Sequence, residues 1–99
     1  MRSNSKTQKK IIRFVEKVNN GYIYRYSLYM GESFMVASYK LPLYSITVEL
    51  TDKDGAVSSA DTKEIFADVG KAFSFFDMLV RNLATPIDLA YIVEDAISL

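Results

Sequence analysis

Residues 43–51 read L-Y-S-I-T-V-E-L-T, and no other stretch constrains the fold of this chain as tightly. Tyr44, Ile46, Val48 and Leu50 alternate with Ser45, Thr47, Glu49 and Thr51. A period of two built from β-branched and aromatic residues marks a strand with one buried and one wetter face. The apolar face needs a cover, and two amphipathic segments in the C-terminal third supply it.

The chain has 99 residues, enough for one domain with a core of modest size. Cys is absent, which excludes disulfides, thiolate metal sites and Cys nucleophiles. His is absent as well, removing the commonest general base and transition-metal ligand. No apolar run reaches the roughly 20 residues of a membrane span. The polar, basic N-terminus lacks the apolar segment of a signal peptide. The expectation is a cytoplasmic protein with no membrane association and no cofactor.

Charge is unevenly placed. Residues 1–48 carry eight Lys/Arg against two acids, a net +6, and residues 49–99 carry four against ten, a net −6. The simplest reading of these charges is a solvated surface. The opposite signs can also draw the two halves, or two copies, together.

Residues 1–10, with Arg2, Lys6, Lys9 and Lys10, read as a flexible basic tail, and 11–99 as a single α+β domain. Asn19-Asn20-Gly21 is a hairpin signal, because Asn and Gly tolerate the positive φ of a type I′ turn. It makes 11–18 and 22–30 the first two strands. In the second, Tyr22, Tyr24, Tyr26, Leu28 and Met30 share one face. Gly31-Glu32-Ser33 reads as a turn into a third strand over 34–39, ended by Leu41-Pro42 because Pro cannot donate to a ladder. The fourth strand is 43–51. After the Asp52–Gly55 turn, 56–60 pairs back as a short edge strand.

Residues 61–70 admit two readings. Asp61 with Glu64 can cap one long helix, or 63–69 can be extended with a helix from about Gly70 to Leu83. The cost of a mid-helix Gly70 favours the second. In that helix Ala72, Phe73, Phe76, Leu79, Val80 and Leu83 form an apolar arc that Phe75 and Met78 widen past half the circumference. Thr85 caps a last helix over 86–97, with Pro86 at its first position and Asp88 at its third. Leu89, Ile92, Val93, Ala96 and Ile97 face the core, and Asp88, Tyr91, Glu94 and Asp95 face water. The predicted fold is an antiparallel meander of four to six strands followed by two helices packed on one face.

The Y-x-I-x-V strand (Tyr44, Ile46, Val48) is followed by a hairpin, a helix and a closing P-x-x-L-x-x-I-V-E-D segment (Pro86, Leu89, Ile92, Val93, Glu94, Asp95). This order resembles a small family of uncharacterised bacterial proteins known only as a domain of unknown function. The similarity covers 44–97 and, more faintly, the strand with Tyr22, Tyr24, Arg25 and Tyr26. The chain departs from the pattern in having Ala96-Ile97 after the Glu-Asp pair and in a longer 56–69 stretch. The family carries no established activity, so the resemblance implies no catalytic residue.

Candidate sites are few. Asp52-x-Asp54-Gly55 opens like a calcium loop, but its Gly comes early and no Glu closes it. No G-x-S-x-G, P-loop or Ser-x-x-Lys occurs, so the expectation is a protein that is not an enzyme. Two functional readings stand. The first is a self-associating or partner-binding module whose surface draws on Met30, Phe34, Met35, Phe75, Met78, Tyr91, Glu94 and Asp95. The second is single-strand nucleic-acid binding through the basic half and the tyrosine strand, by analogy with aromatic stacking platforms.

Overall fold

Residues 10–36, 39–63 and 66–98 are described in a computed structural model, with side chains at 32–41 and 93–98 outside the described set. The elements are β1 (Lys10–Asn19), β2 (Tyr22–Val36), β3 (Tyr39–Thr51), β4 (Val57–Asp61), α1 (Val69–Arg81) and α2 (Pro86–Ser98). The four strands form one sheet in the order β1-β2-β3-β4, and every neighbouring pair is antiparallel. Helix α1 packs over β2 and β3, and α2 over β3 and β4. The result is the expected α+β meander with both helices on one face.

Tyr44, Ile46 and Val48 of β3 are buried, as the alternation requires, and Tyr26 and Leu28 of β2 lie beside them. Ala72, Phe76, Leu79 and Leu89 cover them from the helices. Tyr26 and Leu28, the middle of the tyrosine-rich face of β2, therefore lie under the helices, while Tyr22, Tyr24 and Met30 are half-buried. Asn20 and Gly21 both have positive φ (55° and 84°) between the paired Asn19 and Tyr22, as a type I′ hairpin demands.

Two expectations are corrected. Residues 34–39 are not a separate strand: β2 runs on to Val36, and β3 begins at Tyr39 and passes through Leu41-Pro42. Gly31-Glu32-Ser33 is not a turn either. The register pairs Gly31 with Leu43 and Phe34 with Leu41, so Glu32 and Ser33 together oppose Pro42. Two residues against one is a β-bulge, and the ladder is interrupted at the position where proline has no N–H to give.

The extended reading of 63–69 holds at Phe66, which forms an isolated antiparallel bridge with Tyr44, and at Asp68, but Lys63 has φ 61° and Val69 already opens α1. Asp61 closes a turn by accepting from the Lys63 N–H at 3.0 Å and caps no helix. Asp68 caps α1 instead, accepting from the N–H groups of Gly70 (2.7 Å) and Lys71 (3.2 Å). A Cβ on Gly70 would stand 3.2 Å from that carboxylate, a tight approach that the Asp68 side chain would have to relieve. Helix α1 ends with Leu83 at φ 51°, while Leu83 N–H bonds Val80 O and Ala84 N–H bonds Leu79 O. That is a Schellman motif with a leucine in glycine's usual place. Thr85 and Asp88 cap α2 reciprocally, at 3.0 and 3.2 Å.

Candidate interaction surface

Strand β4 is one edge of the sheet, and the parity of its hydrogen bonds fixes what the edge presents. Asp52 N–H donates to Ala56 O at 2.9 Å and Thr62 N–H to Ile46 O at 2.9 Å. With the register of β3 against β4, these bonds point the backbone groups of Ser58 and Ala60 inward. Those of Val57, Ser59 and Asp61 point outward, and among the described residues none is paired there. The strand reads V-S-S-A-D, without the Lys or Pro that blunts an edge. The opposite edge, β1, carries Lys10, Arg13, Glu16 and Lys17 and a bulge between Ile11 and Arg13.

Helix α2 lies inside this edge and leaves a groove of about 430 Å³. Its floor is Ser58, Ser59 and Ala60, and its wall is Pro86, Ile87, Ala90 and Tyr91. Small side chains on the strand open the groove, and the i, i+3, i+4 spacing of Ile87, Ala90 and Tyr91 puts them on one stripe. Ile87 is 69% exposed and Tyr91 66%, with Val57 at 58% on the other face of the same edge. Apolar groups of that size standing open beside an unpaired strand make a candidate interaction surface, and Ile11, Phe14 and Val18 stand comparably exposed on the β1 edge.

Of the residues predicted for the interaction surface, the side chains of Met30, Phe75, Met78 and Tyr91 are described. Met30, Phe75 and Met78 are half-buried against the core. The wide apolar arc of α1 finds its cover in the extended segment, where Phe66 meets Phe75 with ring centroids 5.2 Å apart. Among these four, Tyr91 alone stands at the groove. The side chains of Phe34, Met35, Glu94 and Asp95 lie outside the described set. Ile87 and β4 were missed, although the 87/90/91 spacing was available in the sequence.

The basic half is partly committed to ion pairs. Arg25 lies between Glu16 (3.1 Å) and Glu49 (3.5 Å) on the face away from the helices. Arg13 reaches Asp77 of α1 at 2.9 Å and covers the Phe73 ring at 4.5 Å. Tyr26 is fully buried and offers no ring to a base. Asp52 spends its carboxylate on the N–H groups of Asp54 and Ala56, at 2.8 and 2.9 Å, which is a turn and not a cation loop. Among the described residues no group of three or more acidic side chains is placed to hold a metal ion, and no helix is long and apolar enough to cross a membrane.

A model of the family described as "Family of unknown function (DUF6514)" matches residues 5–99. The chain belongs to that family. No curated protein and no solved structure matches it. For this family member the match covers the meander and both helices, so β4, α2 and the groove between them lie inside the family domain.

Proposed function

We propose that the protein is a non-enzymatic protein–protein interaction module that takes up an extended segment at the β4 edge. In strand addition, main-chain hydrogen bonds supply the affinity, and a groove for alternate side chains supplies the selectivity. The observation that carries this reading is the outward, unpaired Val57, Ser59 and Asp61 backbone lying beside the exposed Ile87–Tyr91 stripe.

A displayed library of random heptapeptides tests it. Ligands selected on the full chain should lose binding to a Ser59→Pro variant. Proline there removes one outward N–H and obstructs an added strand while leaving the β3 ladder intact. Selected peptides that bind Ser59→Pro unchanged would place recognition elsewhere and sink the reading.

A further inference from the structure

We infer that the partner at this surface is a second copy of the chain, joined β4 to β4 in antiparallel register about Ser59. The inference rests on the reading of β4 and α2 as the interaction surface and names the occupant. Two features of the surface must be covered together: the unpaired strand edge, and the exposed stripe of Ile87 and Tyr91 on the helix beside it. A lone extended peptide pairs the edge and sets only its alternate side chains against the stripe. A second copy brings an unpaired edge and an apolar stripe of its own, so both features are matched along their whole length.

Helix α2 packs over β3 and β4, close to the free edge. Two sheets joined edge to edge continue at a strand spacing of about 4.8 Å, which brings the two α2 helices to roughly 10 Å apart, near ordinary helix packing distance. Ile87 and Tyr91 of one copy then face the same stripe of the other. Ser58 and Ala60, the strand residues on the helix face, are small enough to let the two helices approach above them.

Register and direction follow from β4 itself. Only residues with outward backbone groups can hydrogen-bond across the new seam, and those are Val57, Ser59 and Asp61. Centring the two-fold on Ser59 pairs Ser59 with its own copy and Val57 with Asp61 in both directions, which uses all three. A parallel pairing would set Asp61 against Asp61. The antiparallel one separates those two carboxylates by roughly 13 Å, about four residues of strand and beyond the Debye length at physiological salt. The single charge of this edge thus favours the antiparallel over the parallel pairing of two copies. A five-residue seam and two exposed side chains make a small interface, so the pairing is weak, with a dissociation constant on the order of 10 μM.

Sedimentation equilibrium of the full chain from about 1 to a few hundred micromolar should show reversible dimerisation. Ser59→Pro and, independently, the surface change Ile87→Glu should each weaken it at least about tenfold, with circular dichroism unchanged. The chain has no cysteine, so Ser59→Cys carries a single thiol. A hydrogen-bonded antiparallel pair holds its Cα atoms about 5.5 Å apart, within disulfide range. Mild oxidation should therefore crosslink Ser59→Cys and leave the exposed α1 control Ser74→Cys monomeric. A dimer indifferent to Ile87→Glu, or equal crosslinking at both positions, overturns the inference. A strict monomer overturns it too, and the peptide library then separates the two ideas. Ligands lost on Ser59→Pro would leave the interaction module standing with a different partner. No ligands at all would remove both.

Discussion

The Tyr26 hydroxyl donates to the carbonyl of Ala84 across 2.9 Å, fully inside the protein. This bond fastens the middle of β2 to the junction between α1 and α2, where Leu83 holds a positive φ. Tyr26→Phe keeps the ring and leaves a buried carbonyl without its donor, so it should cost about 1–2 kcal/mol in chemical denaturation. Burial, with smaller contributions from Tyr24 and Asp88, pushes the Tyr26 phenol up to about 12. Below pH 10 both folded and unfolded chains keep the proton, and the contribution is intact. Between pH 10 and 12 the unfolded chain ionises and the folded one does not, so stability falls by up to ~1.4 kcal/mol per pH unit. Urea midpoints at pH 9 and 11 should therefore converge between Tyr26→Phe and the parent chain. Parallel losses in the two proteins would mean that other tyrosines set the alkaline limit.

Thr62 ends β4 by substituting its side chain for the ladder. Its hydroxyl accepts from the Ile46 N–H at 2.9 Å and donates to Lys63 O at 2.7 Å, and the residue is buried. Thr62→Val leaves Ile46 N–H unpaired beside the core and should cost about 1–3 kcal/mol, while Thr62→Ser retains most of the stability. A larger loss in Thr62→Ser than in Thr62→Val would assign the effect to the methyl group.

What the sequence made legible follows from which interactions are local. The alternation over 43–51, the Asn20-Gly21 turn and the Thr85–Asp88 cap each depend on neighbours within a few residues, and each is found where it was read, though the strand itself starts earlier, at Tyr39. Pro42 was misread because its missing donor is excused by Glu32 and Ser33, which come from another strand and bulge opposite it. Phe75 looked like surplus apolar area because its cover, Phe66, arrives through a bridge to Tyr44 that periodicity does not reveal. The groove was invisible for a similar reason. Ile87 faces away from the core on its own helix, and only the sheet order shows that it stands beside a free edge.

Arg13 joins β1 to α1 in two ways, through the Asp77 carboxylate and over the Phe73 ring. Both partners of the ion pair are about half exposed, so water screens it, and a double-mutant cycle should give a coupling of about 0.2–1 kcal/mol that shrinks with salt. The contact with Phe73 adds an attraction that salt affects less. Arg13→Ala should therefore destabilise more than Asp77→Ala at any ionic strength. Equal effects of the two substitutions would reduce the tether to its ion pair.

Gly21 separates two causes that usually travel together. Its φ is 84°, and a Cβ there would also stand 3.1 Å from Cγ of Lys53 in the neighbouring turn. A long, flexible lysine side chain moves aside at little cost, whereas the left-handed backbone is required by the two-residue hairpin and cannot relax without losing the β1–β2 register. Gly21→Ala should thus lose about 1 kcal/mol, nearly all of it from the backbone. Repeating the substitution in a Lys53→Ala background makes the distinction measurable. The same loss in both backgrounds is the expected result of thermal or urea unfolding. A loss that disappears when Lys53 is shortened would transfer the whole effect to the side-chain contact.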